Sequence, residues 1–162
     1  MDTKVLLAEL SNLAEDLNKE TDSYTETLTN LEKNLRKLNL GVEAWVRLEE
    51  RNRSGNPMRH SSTITELGYA KTSDGWGFAV RDVRVERGYY QGDEDCPWEE
   101  HFPEGLPKPL LKSSRELRIE ASREIENLLL ELQNAAKAAL GSVRKAKTVA
   151  SLTSTERGGS TC

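Results

Sequence analysis

Few side chains in this sequence could do covalent chemistry. There are two histidines, His60 and His101, and two cysteines, Cys96 and Cys162. Cys96 and His101 share the acidic run 93–101, so a thiol served by an imidazole base is conceivable there. The acidic neighbours oppose it, because they raise a thiol pKa and disfavour the attacking thiolate. Asp93, Asp95, Cys96 and His101 also have the ligand types of a zinc or harder cation site. Their spacing is not that of an EF-hand loop, and no CxxC pair is present. No HExxH, GxSxG, Walker-type or GxGxxG pattern occurs. The expectation is a non-enzyme with no catalytic residues, no metal and no cofactor, in which residues 93–101 form an exposed acidic loop.

A second group could bind rather than react. Arg47, Arg51, Arg53, Arg59 and His60 crowd a polar stretch containing Gly55 and Pro57, and arginine forks suit phosphate oxygens. Trp45 and Trp76 could add stacking platforms. Glu49 and Glu50 interrupt the cluster, and the formal net charge of the chain is -4. A nucleic-acid interface on loop 51–60 is therefore an alternative reading, with Trp45, Arg51, Arg53, Arg59 and Trp76 as candidate binding residues. A third reading is a small-molecule pocket lined by Tyr69, Trp76 and Phe78.

The elements that must position these residues follow from composition and periodicity. All five prolines lie between Pro57 and Pro109, no glycine precedes Gly41, and among aromatic residues only Tyr24 lies outside 45–102. The flanks have helical composition and the middle that of sheet and turns. Leu6, Leu10, Leu13, Leu17, Tyr24, Leu28, Leu31, Leu35 and Leu38 recur at steps suited to one helix face, predicting a helix of roughly 50 Å from Asp2 or Thr3 to Leu38. The heptad phase slips around Glu20 and Thr21. A second helix, 113–150, has a stripe running from Leu117 through Leu128 and Leu132 to Ala150, with Ser113 and Glu116 at capping-box spacing.

Between the helices, alternation predicts strands near 42–49, 63–72 and 76–87, the last two joined by a type I′ turn at Asp74-Gly75. In that register Tyr69 faces Val80, Leu67 faces Asp82 and Ile64 faces Val85.

The expected fold is α+β: two long antiparallel α-helices, a coiled-coil-like hairpin, flanking a small three-stranded antiparallel β-meander. Residues 1–150 form one domain, divided into a helix (1–40), a meander (41–90), an irregular loop (91–112) and a helix (113–150), with a disordered tail at 151–162.

Apolar residues make up 36% and charged residues 31% of the 162-residue chain, which suits half-exposed helices. No apolar run approaches the roughly 18 residues needed to span a bilayer, and the first helix has an acidic polar face, so no membrane partner is expected. Two thiols without a disulfide framework point to the cytoplasm. The leading expectation is a protein-interaction module that forms a homo-oligomer, a dimer, through Leu28, Leu31, Leu35, Leu128 and Leu132. Its sheet is presented to a protein partner.

Overall fold

The leucine stripe produces one uninterrupted helix, α1 (Thr3–Leu38), stopped by Asn39 in the left-handed region at φ 48. The structure is a computed structural model that describes residues 3–56, 59–90 and 93–155, excluding the side chains of 53–56, 90, 93–95 and 152–155. Four antiparallel strands follow in simple meander order: β1 (Ala44–Asn56), β2 (Arg59–Thr72), β3 (Gly75–Tyr90) and β4 (Asp93–Pro109). A 3-10 turn (Leu110–Lys112) then leads into α2 (Arg115–Ala121) and α3 (Ile125–Thr155).

This corrects the expected architecture in two respects. The sheet has four strands, because residues 93–109, expected to be irregular on account of their prolines, pair with β3 along most of their length, interrupted by two irregularities. Proline cannot donate to a ladder, but β4 is an edge strand bonded on one side only, where alternate residues need no donor and prolines such as Pro97, Pro103 and Pro109 are tolerated. Residues 51–56 and 59–62, also expected as loop, extend β1 and β2.

Nor do the helices form a hairpin on one another. The apolar sheet face of Leu67, Tyr69, Phe78 and Val80 takes up Leu28 and Leu35 from α1 together with Leu128 and Leu132 from α3, with Ala44, Leu110 and Ala121 completing the core. A sheet face offers a flat apolar area that both stripes can share, so the helices pack on it instead of closing a seam of their own.

The expected continuous second helix is broken. At Ser122, Arg123 and Glu124 the amides bond back three residues, to Ile119, Glu120 and Ala121, tightening the helix locally and shifting its phase. The cap of α2 is Ser114, whose hydroxyl accepts from Leu117 N at 3.3 Å, one residue beyond the expected position. α3 extends through Thr155, and residues 156–162 of the expected tail lie outside the described residues.

The β2–β3 register is displaced by two residues from the expectation. Tyr69 faces Phe78, Leu67 faces Val80 and Ile64 faces Val83. A type I′ turn needs positive φ at both central positions, yet among the turn residues only Gly75 has it, at φ 94. The loop residues are therefore Ser73 and Asp74, with Gly75 opening β3. A shift of two preserves the faces, because side chains alternate with period two.

Candidate interaction surfaces

Two regions remain for function once the core is assigned: the outer parts of the long helices, and the sheet beyond the area the helices cover. In α1 the first buried residue is Thr21, and residues 3–20 are all exposed. Leu6, Leu10, Leu13 and Leu17 keep 39%, 61%, 63% and 52% of their surface in solvent. Residues 140–151 of α3 are exposed as well, among them Leu140 and Val143. At 1.5 Å per residue the exposed part of α1 is about 27 Å long. Thr21 Oγ1 donates to Leu17 O at 2.6 Å, and Thr25, Thr27 and Thr29 make the same backward bond to the carbonyl four residues earlier. Such bonds relax helix geometry, and they lie where α1 passes from solvent onto the sheet.

The inner half of α1 is clamped to the sheet by a pair of residues that periodicity did not single out. β4 stops opposite Ala79, so the part of β3 before it would present an unpaired edge. Glu32 fills that place: its Oε2 accepts from the buried Phe78 N at 2.9 Å, and Arg36, bonded to Glu32 Oε1, donates through Nε to Trp76 O. Gly77 permits the approach, since a Cβ there would stand 2.6 Å from Glu32 Oε2. A buried acid at helical spacing from an arginine, facing a glycine in a strand, is the signal for this clamp. It becomes readable only when the register is known.

On the sheet face away from the helices, Ile64, Val83 and Val85 form a second buried cluster made of strand residues alone. Ion pairs cross the same face. Arg87 Nη1 donates to Glu50 Oε1 at 2.7 Å and Arg87 Nε to Glu99 Oε2 at 2.5 Å, while Ser62 Oγ donates to Glu50 Oε1 at 2.7 Å. One guanidinium thus ties β3 to both edge strands. The Ser62 hydroxyl and Arg87 hold the Glu50 carboxyl below the usual carboxylate range, and Arg87 with His101 does the same for Glu99.

The candidate binding residues do not converge. Arg59 stands opposite Gly88 at one end of β2, ion-paired to Glu86 with its guanidinium 5.9 Å from the Trp98 ring centroid. Trp45 lies over Gly68, nine residues along β2 and so about 30 Å away, beneath the Arg81 guanidinium at 3.8 Å. Trp76 is at the far end, stacked on Tyr69 with ring centroids 5.9 Å apart. Arg51 pairs with Glu49 at 3.1 Å, and the Arg53 side chain lies outside the described residues. Among the described residues, the sheet arginines Arg47, Arg51, Arg59, Arg81, Arg84 and Arg87 each face a carboxylate within 4.0 Å. The three aromatic residues suggested for a ligand pocket pack together: Phe78 and Tyr69 are core residues, a cleft of about 260 Å³ borders Tyr69 and Trp76, and a separate one of about 270 Å³ borders Phe78.

The residues expected at an oligomer interface have another use. Leu28, Leu35, Leu128 and Leu132 are buried against this chain's own sheet, and Leu31 packs beside them. Of the candidate ligands in the acidic run, the side chains of Asp93 and Asp95 lie outside the described residues, Cys96 is exposed, and His101 Nε2 meets Glu99 Oε1 at 2.6 Å. Cys162 is outside the described residues. Among the described residues no helix is long and apolar enough to cross a membrane.

No protein-family model, curated protein or solved structure matches this chain.

Proposed function

We propose that this protein is a non-enzymatic interaction module that self-associates through its projecting helical arms and offers its sheet to a protein partner. The observation that carries the reading is the row Leu6, Leu10, Leu13 and Leu17, exposed at regular helical spacing on one face of α1. Contiguous apolar surface of that kind on a folded chain marks an interaction site. The sheet adds a second surface on its β4 side, where Phe102 and Leu106 are exposed. Leu106, at 86% exposure, follows Gly105 with φ 82, where three β4 residues bulge past one of β3.

The arginine network weighs against nucleic acid as the partner. A guanidinium already facing a carboxylate has its charge partly compensated and fewer of its five N–H donors left for a phosphate. The full chain is therefore expected to pass through heparin unretained at about 0.15 M salt, where exposed charges are screened beyond ~8 Å.

Light scattering on the full chain tests self-association directly. The expected result is a molar mass rising with concentration above the 18.2 kDa of one chain. The double substitution Leu10→Glu/Leu13→Glu should abolish that rise while circular dichroism shows an unchanged fold. A wild-type chain that stays monomeric throughout overturns the reading.

A further inference from the structure

The arms differ from each other in charge and in bulk, and the differences are complementary. The exposed part of α1 carries Glu9, Glu15, Asp16 and Glu20 against Lys4 and Lys19. The outer part of α3 carries Lys137, Arg144, Lys145 and Lys147 with no acid between Glu131 and Glu156. Among the described residues, no ion pair engages Glu9, Glu15, Asp16, Arg144, Lys145 or Lys147. The α1 arm is built on leucine, whereas the α3 arm alternates Leu140 and Val143 with Ala138, Ala139 and Ala146. Large side chains on one helix fit small ones on another, and acid on one fits base on the other.

We infer that the occupant of each arm is the opposite arm of a second copy, so that α1 of one protomer lies against α3 of its partner and the reverse contact forms at the same time. The inference rests on the self-association proposed above and specifies its pairing. Like-with-like pairing would set the uniformly basic α3 arm against itself, at a cost from like charges held close together. Exchange pairing removes that repulsion in both contacts, and it closes around a two-fold axis into a dimer instead of an open chain.

Charge exchange in the full-length chain tests the pairing. One variant reverses the acidic arm (Glu9→Lys/Glu15→Lys/Asp16→Lys), and the other reverses the basic arm (Arg144→Glu/Lys145→Glu/Lys147→Glu). Each alone should dimerise at least about tenfold more weakly than wild type at low salt, since every cross-arm contact becomes like-charged. An equimolar mixture should recover wild-type affinity as a heterodimer, because both of its contacts then join opposite charges. Raising salt to about 1 M, where the screening length is ~3 Å, should bring the single variants back towards wild type.

Variants that each dimerise as wild type does would overturn the exchange pairing and leave self-association standing. So would two folded monomeric variants whose mixture stays monomeric. A monomeric wild-type chain would overturn both.

Discussion

The two halves of α1 carry the same kind of leucine stripe and meet opposite fates. Between Thr21 and Leu35 the stripe enters the core, with Leu28 at 1% exposure, and the helix is held by the Glu32–Arg36 clamp on β3. Before Thr21 the stripe faces solvent for its full length. Periodicity states which side of a helix wants cover, while the length of the sheet decides how much of it the chain can cover by itself. The remainder is where another molecule has room to act.

The largest difference between the halves should appear on truncating leucines. Leu28→Ala removes a fully buried side chain and should cost about 2–5 kcal/mol in denaturant unfolding. Leu10→Ala and Leu13→Ala, measured at concentrations where the chain is monomeric, should each stay within about 0.5 kcal/mol. Equal losses in the two halves would mean that the outer stripe is covered within one chain, and the contrast would disappear.

The clamp should show a smaller but distinct effect. Glu32→Ala leaves the buried Phe78 N–H without an acceptor and should destabilise by about 1–3 kcal/mol. Glu32→Gln should cost less, because its amide oxygen can still accept that bond. Gly77→Ala forces the carboxylate aside and should lower the melting temperature in the wild-type background more than in Glu32→Ala. Identical effects in the two backgrounds would show that the glycine is not there for Glu32.

Acid should weaken the sheet. The Glu50, Glu86 and Glu99 carboxyls all titrate below their ordinary range, because of hydrogen bonds from Ser62 and Arg87, from Arg59, and from Arg87 and His101 respectively. A depressed folded pKa contributes stability that is complete above the unfolded value and lost as pH falls through the folded one. Melting temperature should therefore decline as pH drops below the ordinary carboxylate range, with a shallower decline in Glu50→Gln. A pH-independent melting temperature between pH 6 and pH 3 would remove the ladder from the account of stability.

The smallest change is expected from Arg59→Ala. Its guanidinium is largely in solvent, and ion pairs screened in that way contribute little to stability. A larger loss would point to the Trp98 contact as the more important one.

Much of α1 was legible before any tertiary information, down to the phase slip at Glu20 and Thr21, where the buried half begins. The strand faces were legible too, since a register displaced by two residues keeps Leu67, Tyr69, Phe78 and Val80 on one side. β4 was not, because its prolines read as loop until the strand is known to lie at an edge. The clamp, the Arg87 ladder and the burial of Leu28 and Leu128 on a shared sheet face were hidden for a related reason. Each joins residues far apart in sequence, and local spacing carries no record of such pairing. Among the candidate residues, Arg51 and Arg59 looked available in sequence because their carboxylate partners were not yet beside them.

The sequence by itself determined the local preferences: which stretches are helical, which side of each is apolar, and that the first arm is acidic and the last basic. Those properties follow from side-chain chemistry and from backbone periods of 3.6 and 2.0 residues. Only the tertiary structure decided where each apolar face goes, because burial depends on which surfaces meet and how far they extend. The sheet reaches the inner halves of the long helices and no farther, and that boundary leaves the outer leucines of α1 exposed.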